Sequence, residues 1–243
     1  MKKHKVYFAR VNVNTATSLI AGIPLEPLAK EVKELLDGTP CEYAAKCYSV
    51  KDEIRNSFVY KAPADMSIIY DEGRFFELQP ESIARQGNLF VQMTEVPTSD
   101  PIPPTALLQL YSSFGLLLFS ETPLEMTIQT PNFHMSKVKH IPLVIGGFNI
   151  AKWFRPIFPS YANYTYEDFH INRGDALMYI KFHTDKSVEL EEFEMNATLE
   201  RYSRAALEYK FIKQWVPLKR LYEMFLANKM NKKIAAEIKR QKG

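Results

Sequence analysis

The hydrophobic period of this chain changes once, at about Thr198. Before that point apolar and β-branched residues come in short runs of strand length. After it they recur at helical spacing: Leu199, Tyr202, Ala206 and Tyr209, then Leu218, Leu221, Tyr222 and Phe225, then Ile234 and Ile238. A doubly wound α/β fold would need helices between the strands, and few stretches offer one. The order therefore predicts an α+β fold, mostly β: a β-sandwich or jelly-roll-like body over residues 1–197, then a basic helical tail over 198–243.

Residues 5–13 alternate as a first strand. Residues 27–36 place Leu28, Val32, Leu35 and Leu36 on one helical face, with Pro27 suited to the first turn and Gly38 to the stop. Residues 57–61 and 66–71 read as strands, and Asp71-Glu72-Gly73 as a hairpin turn into 75–78. A helical turn is expected at 80–85 and a strand at 88–95. Pro97, Pro101, Pro103 and Pro104 make 96–105 the best internal boundary of the body. Residues 106–112 and 115–120 are almost continuously apolar, which predicts burial on both faces. Strands follow at 125–130 and 142–150, the latter with Gly146-Gly147 as a bulge or close approach. The turn Asn172-Arg173-Gly174-Asp175 between 169–171 and 176–183 predicts a hairpin, and a last strand covers 188–193. In the tail, Pro217 opens the second helix and 228–231 separates the second from the third.

The charge pattern follows the same division. From Arg201 onward twelve Lys/Arg face three acids, nine net positive charges, whereas the first 200 residues hold 19 basic and 25 acidic residues. Segregation of this kind speaks about partners rather than about a reaction. Only nine glycines are present, so few places can wrap a phosphate in backbone amides, and no P-loop, dinucleotide fingerprint, zinc-protease helix, nucleophile elbow or EF-hand loop occurs. The longest apolar run, 114–119, falls far short of the roughly 20 residues of a membrane span, and the N-terminal lysines lead into no apolar segment. No membrane contact and no secretion signal are expected. Cys41 and Cys47 lack further ligands nearby and read as free thiols, buried or half-buried.

Candidate chemistry is sparse. His183-Thr184-Asp185 has the spacing of two legs of a facial triad, but no histidine follows it. His170 lies across the expected hairpin and could face His183. His134 and His140 read as loop residues, and Glu189, Glu191, Glu192 and Glu194 as a solvated sheet face. Trp153-Phe154-Arg155-Pro156 opens an aromatic segment with three readings: a stacking platform, an interface, or core. The ligand or interface candidates are Trp153, Arg155, His170, Tyr179 and His183; no catalytic residue, metal or cofactor is assigned. Lys229, Lys232, Lys233, Lys239 and Arg240 read as a solvated face, a seat for an acidic protein surface, or a contact to a phosphate backbone.

Three stretches carry a resemblance. Lys46-Cys47 leads through Phe58-Val59-Tyr60-Lys61, Pro63 and Asp65. Gly147-Phe148-Asn149-Ile150 leads into Trp153-Phe154-Arg155-Pro156. Ile171-Asn172-Arg173-Gly174-Asp175 leads into Tyr179-Ile180-Lys181-Phe182-His183-Thr184-Asp185. Together they resemble uncharacterised proteins of tailed phages, especially phages of marine bacteria and cyanobacteria. The resemblance implies a virion or assembly component, or a small host-takeover factor, in the host cytoplasm or the virion, and brings no catalytic residue with it. The leading expectation is a non-enzymatic interaction protein with a protein partner or a homo-oligomer. The alternatives are a ligand-binding protein or enzyme with its site at one end of the sandwich, and nucleic-acid contact through the tail.

Overall fold

A computed structural model of the chain describes residues 3–10, 25–39, 43, 46–63, 65–71, 74–78, 91–96, 105–110, 115–137, 141–142, 146–163, 168–212 and 215–241. In chain order the elements are β1 (His4–Arg10), β2 (Glu26–Pro27), α1 (Leu28–Leu36), α2 (Tyr48–Ile54), β3 (Ser57–Lys61), β4 (Met66–Asp71), β5 (Arg74–Leu78), β6 (Val91–Val96) and β7 (Thr105–Leu110). Then come β8 (Leu116–Phe119), β9 (Glu125–Gln129), a 3-10 helix (Asn132–Lys137), β10 (Ile141–Pro142), β11 (Gly147–Asn149), β12 (Pro156–Ile157) and β13 (Ser160–Asn163). The chain continues with β14 (Phe169–Ile171), β15 (Ala176–His183), β16 (Val188–Glu192), α3 (Ala197–Ile212), α4 (Leu218–Ala227) and α5 (Met230–Arg240). This is an α+β fold, a sheet-rich body with helices at its C-terminal end.

The strands form a first sheet of order β12-β8-β1-β16, a second of order β11-β9-β15-β3-β2, a third of order β14-β4-β5 and a fourth of order β10-β13-β7-β6. Strand periodicity assigns the layers. Val6, Leu116 and Leu118 of the first sheet meet Phe58, Tyr60, Met126, Ile128, Ile180 and Phe182 of the second in one buried core. Met66, Ile171, Leu110 and Tyr161 add the third and fourth sheets to it. The alternate residues Tyr7, Ala9, Leu117 and Phe119 point the other way and are covered by Leu199, Phe225, Ile234, Ala235 and Ile238 of the C-terminal helices. All four residues of β8 are buried for this reason, as its continuous hydrophobicity predicts. On the outer face of the second sheet, Val59 and Tyr179 pack under Leu28, Val32 and Ile54 of α1 and α2. The layers run helix, sheet, sheet, helix, and each aliphatic or aromatic side chain buried between them contributes about 1.5–3 kcal/mol.

Residues 169–171 and 176–183 do not form a hairpin. Strand β14 pairs with β4 and β15 with β3 and β9, so the chain changes sheet at the turn. The turn itself has the expected chemistry: Gly174 takes a φ of 90° and Asp175 Oδ2 accepts from the Asn172 N–H at 2.8 Å. Its outer bonds go to the segment after β3, with the Gly174 N–H donating to the Ala62 carbonyl at 2.9 Å. Residues 142–150 likewise divide, β10 joining the fourth sheet and β11 the second. Gly147 is a close approach as expected, since a Cβ there would stand 3.2 Å from Thr127 Cγ2.

Strand β16 joins the first sheet by pairing parallel to β1. The crossover into it is held by Asn56, a left-handed residue with a φ of 53°. Its Nδ2 donates to the carbonyls of Thr184 and Lys186, both at 2.9 Å, and its Oδ1 accepts from the Val188 N–H at 3.0 Å. Cys47 is a free thiol but exposed, not buried as expected, while the expected helical turn at 80–85, the prolines of 97–104, Cys41 and His140 lie outside the described residues. Among the described residues no helix is long and apolar enough to cross a membrane.

Candidate docking face on the C-terminal helices

The residues singled out in the sequence lie on different elements. His170 is exposed on β14, with Nδ1 3.0 Å from Ser67 Oγ on β4. His183 is exposed at the end of β15, with Nε2 3.0 Å from Thr127 Oγ1 on β9. Arg155 is half-buried beside Tyr222 of α4; burial raises the Tyr222 phenol pKa and the Arg155 charge opposes that rise. Among the described residues no hydrogen bond links these three. Trp153 is 7 % exposed and packs with Ala206 and Leu221, its ring edge-to-face with Tyr222 at 5.4 Å. Among the described residues no group of three or more His, Cys, Asp or Glu could hold a metal.

Tyr179 enters a different arrangement. Its hydroxyl lies 2.6 Å from His134 Nδ1 and accepts from the Phe133 N–H at 3.2 Å. His134 Nε2 stands 3.4 Å from Glu31 Oε2, and Lys61 Nζ donates to Glu31 Oε1 at 2.7 Å. His134 is thus a buried residue of the 3-10 helix and not the loop histidine the sequence suggests; it falls on no recognisable period. Burial pushes the Glu31 carboxyl up, but bonding with Lys61, Glu26 and His134 outweighs this and holds it below the ordinary value. Burial likewise pulls Lys61 down and is outweighed by Glu31, leaving its ammonium above the ordinary value. Burial raises the Tyr179 phenol. With the phenol donating to Nδ1 and Nε2–H donating to the carboxylate, each of these groups is paired, which is how a polar chain under α1 is tolerated.

The C-terminal helices carry the feature that packing leaves unexplained. Helix α4 has Leu218, Leu221, Tyr222, Met224, Phe225 and Leu226 among its ten residues. At 3.6 residues per turn these span an arc of roughly 200°. The body buries the middle of that arc, Leu221 and Phe225. On one flank Leu218 and Leu226 stay 38 % exposed with half-buried Tyr222 between them, and Trp215, just before the helix, is 79 % exposed. On the other flank lies an open pocket of about 220 Å³ lined by Trp153, Tyr202, Ala206, Met224, Phe225 and Met230, among others.

Basic side chains lie along the same segment. Two of the five anticipated from the sequence are already used: Lys239 Nζ meets Glu121 Oε2 at 2.6 Å, and Arg240 Nη2 meets Glu237 Oε1 at 2.6 Å. Lys229, Lys232 and Lys233 are exposed and form no ion pair among the described residues. Most of the body's acidic run is matched internally, with Glu191 2.6 Å from Lys5, Glu189 3.6 Å from Lys3 and Glu192 3.6 Å from Arg10. Sequence reasoning missed Trp215, Leu218 and Leu226 as surface residues; the signal was the width of the α4 arc, too broad for one buried face. No family model and no curated protein matches the chain.

Proposed function

We propose that this protein is a non-enzymatic interaction protein whose C-terminal helical face docks an acidic, amphipathic segment of a protein partner. The observation that carries this reading is the exposed Trp215, Leu218 and Leu226, followed in the chain by exposed lysines at 229, 232 and 233 that form no ion pair among the described residues. Exposed apolar side chains are ordinary one at a time; two Leu on one flank of a helix, with a Trp just before it and a cationic segment just after, are what an interface anchor needs. The charges choose the partner's sign and speed its approach, while the apolar stripe supplies the affinity. The resemblance to tailed-phage proteins supports placing such a contact in a virion, in assembly, or in host takeover.

Nucleic acid is the weaker occupant. With Lys239 and Arg240 tied to carboxylates, three lysines remain of the five, enough for only about three phosphates, and the stripe offers a duplex backbone nothing to bond. An enzyme reading built on Arg155, His170 and His183 has no hydrogen bond linking them among the described residues.

A photo-crosslinking residue placed at Leu218, with a control at exposed Lys33 of α1, tests the proposal in cells making the full chain. The expected result is an adduct to an acidic protein from position 218, absent from position 33 and lost in the triple variant Lys229→Gln, Lys232→Gln, Lys233→Gln. Adducts from both positions alike, or from neither, would overturn it. Adducts to nucleic acid would transfer the face to the alternative reading.

A further inference from the structure

A second pocket, open to solvent and about 460 Å³ in volume, lies where α5 borders the start of β1. Its lining gathers cations from segments far apart in the chain. Lys3 and Lys5 come from the start of β1, Lys186 from the turn between β15 and β16, and Lys239 from α5. Glu121 is the one acid among the described residues that line it. His4 completes this side of the pocket, its Nε2 2.8 Å from Thr122 Oγ1. None of these residues belongs to the docking face.

The fold brings these like charges within reach of one another. Burial, and then the Lys186 ammonium, pull the His4 imidazole below its ordinary value. Pairing with Glu121 raises the Lys239 ammonium, while burial and the Lys5 charge oppose that rise. Clefts lined by one sign of charge concentrate ions of the other sign. Internal carboxylates offset the charge only in part. Lys239 Nζ meets Glu121 Oε2 and Lys5 Nζ meets Glu191 Oε2, both at 2.6 Å, and Lys3 Nζ stands 3.6 Å from Glu189 Oε2. Lys186 is exposed and forms no ion pair among the described residues. An ammonium has three protons to donate and exposed pairs hold weakly, so the three paired lysines keep room for a further acceptor.

We propose that this pocket binds a multiply charged phosphate, free or carried as the tail of a nucleotide. Lys186 is its principal contact, and Lys3, Lys5 and Lys239 bond it without leaving their carboxylates. Phosphate fits because its oxygens point in several directions, as the ammoniums arrive from three separate segments; a carboxylate offers only two oxygens in one plane. Bound there, it would join α5 to the first sheet through charge as well as through packing.

Pyrophosphate, titrated into the full chain at neutral pH and constant ionic strength, tests the assignment through NMR of the histidine ring protons. The His4 signal should move saturably, and its ionisation should shift to higher pH, since added negative charge favours the imidazolium. Exposed His170 and His183 are internal controls and should stay in place. Chloride or acetate at the same ionic strength should leave His4 where it is. Lys186→Gln, at an exposed turn position, should weaken pyrophosphate binding roughly tenfold, the effect of one hydrogen bond to a charged group, whereas Lys33→Gln on α1 should leave it unchanged. ADP tells the two sources apart, both within the proposal: tighter binding than pyrophosphate assigns a nucleotide, equal or weaker binding a free phosphate. A His4 signal that does not move, one that moves alike in chloride or acetate, or an affinity that survives Lys186→Gln would each overturn the proposal.

Discussion

Replacing Ile234 with Ala tests whether the tail is part of the fold. Ile234 is fully buried, in one cluster with Tyr7 and Phe119 of the first sheet and Ile238 of its own helix. Large-to-small changes at such sites cost about 2–5 kcal/mol, the lost transfer energy plus the cavity left behind. Whole domains are stable by only about 5–15 kcal/mol, so the variant should lose a visible part of its urea midpoint. Removing everything after Asn196 is the larger form of the same perturbation. It uncovers Tyr7, Leu117, Phe119, Phe154 and Phe193, together worth about 7–15 kcal/mol at most. That equals the stability of a typical domain, so the truncated body should aggregate. Unfolding followed by tryptophan emission and by far-ultraviolet circular dichroism should shift together in Ile234→Ala, since Trp153 sits against α4. Lys232→Gln with Lys233→Gln, on exposed positions, should leave the midpoint within about 0.5 kcal/mol. A neutral Ile234→Ala, or a truncated body as soluble and stable as the full chain, would show the tail to be an independent arm and refute the layered packing.

Asn56→Ala should cost about 2–4 kcal/mol, because it strips three hydrogen bonds from the β15–β16 crossover and strains a left-handed backbone; Asn56→Gly should recover the backbone part, and equal losses in a denaturation series would count against this account. Glu31 is held below its ordinary value of 4.5, so its stabilisation is full above that pH and lost as pH falls through the lower folded value. Lys61→Met removes the ammonium that outweighs burial, and the acid-unfolding midpoint should move to higher pH; a midpoint that stays or falls would contradict the pairing. Leu218→Asp should weaken partner binding at least tenfold while leaving the thermal midpoint unchanged, as measured by titration and calorimetry of the same sample.

The sequence disclosed what local chemistry decides. Continuous hydrophobicity in β8 gave burial on both faces, Gly38 ends α1 with a φ of 67°, and Pro217 and the left-handed Lys229 bracket α4. It did not disclose pairing. Asn172 to Asp175 forms the same turn whether the flanking strands pair with each other or join different sheets, and Ala62, more than a hundred residues away, settles which. Parallel pairing of β1 with β16 joins the two ends of the body and leaves no local trace. Helix α2 escaped notice because only Ile54 of its seven residues is buried, too few to set a period. Trp153 and Phe154 of the aromatic segment are buried against the helical layer, and the exposed anchors lie on and just before α4.

Hydrogen–deuterium exchange on the full chain, alone and with the partner captured from position 218, addresses the docking face most directly. Slowing confined to residues 215–233, with α1 and the second sheet unchanged, is the predicted result. Slowing across α1 and α2, or none along α4, would contradict it.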